Sequence, residues 1–237
     1  MGDTGAVKRV LAVALVLLGV SACSGGSSPK SAAPLAYHGV ETQAPQPLRP
    51  EFVLTDTSGK EYDFQKETTG RPTYVYFGYT HCPDECPTAM SDVASALRKA
   101  PKAEAAKAVV VFVTTDPKRD TPAVLRRFLN QFSPDIVGLL GTQAQLDAAQ
   151  SAAGVKLAAP GPPIPTASGN PDEHVSESGT APHSHFGEPL GYSVTHSAVI
   201  FAYNADDRLP VLYPGGVTVD DIANDLPLLL DPRRAAS

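Results

Sequence analysis

Two cysteines four residues apart, in Tyr79-Thr-His-Cys82-Pro-Asp-Glu-Cys86-Pro87, stand between a strand-like run and a helix-like one, and this junction constrains the fold more than any other feature. Thr73–Tyr79 is a short β-branched and aromatic stretch, the pattern of a strand buried on both faces. From Pro87 to Ala100 the pattern turns helical. A buried strand followed by a helix belongs to an α/β sheet, and sites in such sheets form at strand ends. On a helix, positions i and i+4 share a face, so the two sulfurs can point the same way. A helix N-terminus also favours thiolate over thiol.

The rest of the chain supports the α/β reading. Glu51–Leu54, a Ser58-Gly59 turn and Glu61–Phe64 predict a hairpin. Ala108–Thr115 is a second buried strand. Asp120-Thr121-Pro122 supplies a cap and a first-turn proline for a helix over Ala123–Phe132. A short strand over Ile136–Leu140 precedes a helix capped by Thr142 that runs through Ala153 and ends at Gly154. His196–Tyr203 and Arg208–Tyr213 flank an Asn204–Asp207 turn, and a final helix covers Thr218–Leu230. This order predicts a mixed central sheet with helices on both faces. Between Gly154 and Tyr192 the periodicity fails in a proline-rich, polar insertion, about residues 155–191, that carries His174, His183 and His185. Loops of this length in a compact domain are functional or disordered. No spacing of the three histidines defines a geometry, so they are read as solvated, with a soft-metal collection site as the alternative.

The N-terminal segment reads as an address. Lys8-Arg9, the apolar run Val10–Val20 and then Ser21-Ala22-Cys23 form a secretory signal layout. The run is far short of the roughly 20 residues needed to cross a bilayer as a helix. Val20-Ser21-Ala22-Cys23 resembles a bacterial lipoprotein cleavage box, which predicts a signal peptide over residues 1–22 and a lipidated Cys23 that anchors the protein to the membrane. Residues 23–47 are polar, lack apolar periodicity and are read as a flexible tether, and residues 48–237 as the folded domain. Lipidation of Cys23 would leave Cys82 and Cys86 as the remaining thiols of three cysteines, too few for a disulfide-built scaffold. A hydrophobic content of 42% supports a substantial core. The net charge of -6 argues against a nucleic-acid partner, which would demand a basic face.

Two thiolates at a strand–helix junction can hold a soft cation or cycle through a disulfide. A helical i, i+4 pair has a Cα separation of about 6 Å, inside the disulfide window, so spacing leaves redox chemistry open. Three intervening residues, where the thioredoxin motif has two, and the absence of tryptophan favour metal. Two cysteines and one histidine leave a structural zinc shell incomplete. Cu(I) accepts low coordination numbers and prefers thiolate, and imidazole suits copper in either oxidation state.

Tyr76-Phe-Gly-Tyr-Thr-His-Cys-Pro-Asp-Glu-Cys-Pro87, Asp116-Pro-Lys-Arg-Asp-Thr-Pro122 and Val194-Thr-His-Ser197, in that order, closely resemble the Sco/SenC family of copper-binding assembly factors for cytochrome c oxidase. The resemblance runs from about Leu48 to Leu230. It implies a thioredoxin-like fold, a membrane-held domain outside the cytoplasm, and copper ligands at Cys82, Cys86 and His196. It also implies delivery of copper to the binuclear site of cytochrome c oxidase subunit II. A thiol-disulfide oxidoreductase acting through Cys82 and Cys86, which keeps the client's cysteines reduced, is the alternative. His81 is read as part of the loop motif, and Asp116 with Arg119–Pro122 as shaping the neighbouring loop. Two positions depart from the family pattern. Thr195 stands where Asp is common before the distal histidine, which removes a carboxylate available to Cu(II). Glu85 stands where an apolar residue is common and is expected to raise the thiol pKa values by its charge.

Overall fold

The computed structural model describes residues 35–163 and 191–235. The leader, Cys23, and His174, His183 and His185 of the insertion lie outside the described residues.

In chain order the elements are β1 (Val40–Glu41), β2 (Val53–Asp56), β3 (Glu61–Asp63), α1 (Phe64–Thr68), β4 (Thr73–Gly78), α2 (Glu85–Lys99) and α3 (Lys102–Ala105). There follow β5 (Val109–Thr114), α4 (Pro122–Leu129), β6 (Val137–Leu140), α5 (Gln143–Ala152), β7 (Ala159–Pro163) and β8 (Tyr192–Thr195). β9 (Val199–Tyr203), β10 (Val211–Pro214), α6 (Val219–Leu230) and a single 3₁₀ turn at Pro232–Arg234 complete the described chain. Eight strands form one sheet in the order β1-β10-β9-β4-β5-β6-β2-β3, and β7 pairs with β8 in a separate two-stranded ribbon. β4, β5 and β6 are parallel, while the outer strands run antiparallel.

Every residue of β4 and β5 is buried, as the unbroken apolar runs predict for central strands covered on both faces. The period-two alternation divides the core. Tyr74 and Tyr76 of β4 pack with Val110 and Phe112 of β5 against α2, α4 and α6. Val75, Phe77, Val111 and Val113 pack on the other side with Phe64 of α1 and Leu146 of α5. The mixed sheet with helices on both faces follows directly.

Local chemistry sets the helix ends. Thr142 and Thr218 form capping boxes with Gln145 and Asp221, and Thr121 caps α4 with Pro122 in its first turn. α2 begins at Glu85, before the expected Pro87, because the Asp84 side chain accepts the Glu85 amide and so starts the helix early. Cys86 therefore lies in its first turn.

Residues 35–47, read from the sequence as the end of a tether, are packed onto the sheet. Val40 and Glu41 pair with Leu212 and Val211 of β10. The Asp225 side chain, 0% exposed, accepts the amides of His38 and Gly39, the His38 ring N–H and the Tyr213 hydroxyl. Gly39 permits this approach, since a Cβ there would meet Val211 Cγ2 at 2.6 Å. Short polar segments have no apolar period to betray such docking. Here a buried carboxylate holds the backbone in place of an apolar face.

Candidate metal centre

Cys82 and Cys86 are placed by the junction of β4 and α2, and His196 by the register of β9. β9 runs antiparallel to β4, with Thr73 opposite Tyr203 and Val75 opposite Phe201. Extending that register carries position 196 to the level of Thr80, beside the cysteine loop. The Sγ atoms of Cys82 and Cys86 and a ring nitrogen of His196 all lie within 4.8 Å of one another. Cys86 Sγ is 3.4 Å from His196 Nε2.

Gly78 makes room for this cluster. A Cβ there would meet Cys86 Sγ and the Tyr76 ring, each at 2.7 Å. The cysteine loop itself is tied down by the buried Asp120, whose carboxylate accepts the Thr80 amide and the hydroxyls of Thr80 and Thr114. One carboxylate thus joins the C-terminal ends of β4 and β5. His81 is buried beside it, with Nδ1 3.0 Å from Thr80 Oγ1, and is not a member of the Cys82–Cys86–His196 cluster.

The imidazole is oriented from behind. His196 Nδ1 is 3.1 Å from the Val194 carbonyl, and because a carbonyl only accepts, Nδ1 carries the hydrogen. Nε2 then faces the sulfurs, with its lone pair available whenever it is unprotonated. The Tyr76 hydroxyl lies 3.4 Å from Nε2, and the Tyr79 ring stands edge-on to the imidazole.

The sulfurs are unequal. Cys82 is held well below the ordinary thiol range, first because Cys86 hydrogen-bonds to it and then, against the cost of burial, through His196 and the backbone amides of Cys86 and Asp84. The Cys86 amide is 3.4 Å from Cys82 Sγ. Cys86, 0% exposed, is pushed up by burial and by the neighbouring Cys82 charge. These opposite shifts favour the thiolate at Cys82 and the thiol at Cys86. Burial lowers the pKa of His196, but Cys82, the Val194 carbonyl and Glu85 outweigh it and the net shift is upward. The Glu85 carboxylate lies 3.8 Å from His196 Nε2 and its charge raises the pKa of the histidine.

The opposite wall rests on contacts that the local motifs do not show. Arg119 pairs with Asp116, donates to the Tyr192 carbonyl at 2.9 Å and lies 3.7 Å over the Tyr192 ring. The Tyr192 hydroxyl donates to Asp116 at 2.8 Å. These contacts clamp β8, and with it His196, to the loop after β5. Tyr192 carries no motif of its own. Tyr76 could have been found, because it shares a strand face with Gly78, and a glycine in a buried strand marks a close approach. Thr195 hydrogen-bonds the Ala159 backbone in the β7–β8 ribbon.

The family model described as SCO1/SenC matches residues 40–231. The chain belongs to this family. Its thioredoxin-like fold is shared with copper-bound ScoI of Bradyrhizobium japonicum, which superposes with a TM-score of 0.59 at 31% identity over 78% of this chain and 100% of that one. A Stutzerimonas stutzeri protein, provisionally named for copper binding, is 33% identical over 186 residues, 78% of each chain. An SCO2-like protein of Rickettsia felis is 38% identical over 99 residues, 40% of this chain and 46% of its own length, so the chain matches less than half of that curated relative.

The donor set of this SCO1/SenC chain, two sulfurs and one imidazole nitrogen in a tight triangle, suits a soft ion of low coordination number. The site opens into a shallow cavity of about 340 Å³ lined by Tyr79, Cys82, Glu85, Val194, Thr195 and His196.

Proposed function

We propose that the protein is a copper metallochaperone that binds one ion through Cys82, Cys86 and His196 and delivers it to the binuclear copper site of cytochrome c oxidase, with subunit II as the receiving protein. The observation that carries this reading is the convergence of the three donor atoms within 4.8 Å. Loading replaces the proton on Cys86 and any proton held at His196 Nε2, while Cys82 enters as the thiolate it already is. Three protein donors leave a position for a partner's ligand. An incoming thiolate or imidazole engages the ion before Cys82 or Cys86 releases it, and the ion passes between proteins without becoming free. The lipobox supports anchoring at the extracytoplasmic face of the membrane through Cys23. Among the described residues no helix is long and apolar enough to cross a membrane.

Anaerobic titration of the reduced full chain with Cu(I), and separately with Cu(II), tests the site. One tightly held equivalent with thiolate-to-copper absorption is expected, and its absence in a correctly folded, reduced protein removes the chaperone reading. Cys23→Ser tests the anchor, with the variant expected in the soluble fraction or as uncleaved precursor. Cleavage at the same place and retention at the membrane without lipid would refute lipidation.

The thiolate–thiol pairing of Cys82 and Cys86 favours a second reading, thiol-disulfide exchange with Cys82 as nucleophile and Cys86 as resolving thiol. Cys82 is 2% exposed, which suits a small ion better than a protein disulfide. In cells lacking the protein, rescue of oxidase activity by added copper supports delivery, and rescue by a reductant supports exchange.

A further inference from the structure

A second cavity, of about 260 Å³, lies beside the metal centre between α2, the edge of β9 and β10, and the start of α6. Its floor is apolar, formed by Ala89, Ile200, Val217 and Ile222. Gly215 and Gly216 stand at its mouth, exposed, with open space around both. Its rim is acidic, with Asp84, Glu85 and Asp92, and no Lys or Arg lines it. Asp92 is partly buried, and its carboxylate makes no hydrogen bond or ion pair among the described residues. The cavity adjoins the metal centre, since Tyr76 and Glu85 line it and both reach His196 Nε2, at 3.4 and 3.8 Å.

Below the roughly 300–1,000 Å³ of small-molecule sites, the volume fits one or two side chains and not a cofactor. An apolar floor under an unpaired carboxylate calls for an apolar side chain with a cation next to it. Accepting the copper-delivery reading above, on which this inference rests, we infer that the cavity seats a polypeptide segment of the copper-exchanging partner, with an apolar side chain on the floor and an adjacent Lys or Arg against Asp92 and Glu85. Seated there, the segment brings the partner's own ligands to the His196 side of the site. Acidic residues on the rim also steer a basic partner toward the site.

The test uses the copper-free, reduced full chain in detergent, labelled at isoleucine methyls. Ile200 and Ile222 line the cavity and Ile136 does not, so Ile136 is the internal reference. The probes are Ac-Gly-Leu-Lys-Gly-NH2 and its charge-reversed form Ac-Gly-Leu-Glu-Gly-NH2. The lysine peptide should shift the Ile200 and Ile222 signals and leave Ile136 in place, and the glutamate peptide should shift none of them. Asp92→Lys should weaken the lysine peptide by about tenfold and reverse the preference, as expected for a charge pair at an interface. Ala89→Trp should abolish the response by filling the floor. The rim variant Asp92→Lys carries the test alone if Ala89→Trp does not fold. Shifts indifferent to peptide charge, shifts given equally by lysine amide alone, or no shift at Ile200 and Ile222 would overturn the inference. Copper titration of the same proteins is a separate readout. Both variants should still bind one equivalent, and failure of the unaltered chain to bind copper would overturn the delivery reading without changing the methyl result.

Discussion

The cysteine wall of the candidate metal centre is one contiguous stretch, Tyr79–Pro87, held by Asp84 at the helix start and Asp120 beneath the loop, whereas the histidine wall is assembled from distant pieces of chain. His196 owes its position to the pairing of β9 with β4, to the Val194 carbonyl, and to the clamp of Asp116 and Arg119 on Tyr192. A wall built locally keeps its geometry while the loop and helix persist. A wall built from long-range contacts can be displaced by a change far from the ion, so copper binding and disulfide formation should respond to different substitutions.

The largest effect should come from the donors themselves. Cys86→Ser should abolish both copper binding and the Cys82–Cys86 disulfide, while His196→Ala should cost copper affinity more than the roughly 10–100-fold of an outer-shell change. The disulfide should still form in His196→Ala, read by thiol counting after oxidation. Unchanged copper affinity in that variant would place the third donor elsewhere. The insertion histidines offer the contrast, since changing His174, His183 and His185 together to Ala should spare the tight site.

Gly78→Ala attacks the local wall. The new Cβ would collide with Cys86 Sγ and the Tyr76 ring, and overpacking of this kind costs about 1–3 kcal/mol. Thermal denaturation should show the loss, and copper titration a weaker site. Asp120→Ala should act on the same wall through stability, leaving the buried Thr80 amide and two hydroxyls without their acceptor at about 2 kcal/mol. Arg119→Ala attacks the distant wall. Copper affinity should fall by about tenfold, the scale of an orienting partner, with the midpoint of the Cys82–Cys86 disulfide in a redox titration unmoved. Equal changes in both quantities would mean that the two walls are coupled.

The pH slope of binding tests the unequal thiols without any substitution. Cys86 is protonated at neutral pH because its pKa is raised, and Cys82 is not because its pKa is lowered. Binding Cu(I) to both sulfurs therefore releases the Cys86 proton, and affinity should rise with pH by about one decade per unit around neutrality. The slope should steepen as pH falls through the raised pKa of His196, where a second proton must be displaced. A flat profile would show that Cys86 binds as the thiol or not at all.

Much of this molecule was legible because it is written in short-range patterns. The buried runs at β4 and β5 are central strands, the caps at Thr121, Thr142 and Thr218 start helices, and Gly154, with φ of 68°, ends α5. Alternation and caps act over a few residues, so the sequence alone determines the central strands, the main helices, their order and the paired thiols at the strand–helix junction, while β1, α1, α3 and the β7–β8 ribbon are not legible in this way. The three ordered motifs also carried the family. What only the tertiary structure decided are relations between distant residues: Tyr76 beside His196, Glu85 turned toward the imidazole, Arg119 stacked on Tyr192, and His38 and Gly39 fastened to Asp225. The unequal thiols belong with these, because a pKa depends on burial and on which groups stand opposite. Strand register and burial arise when the whole sheet closes, and no window of neighbouring residues contains that information.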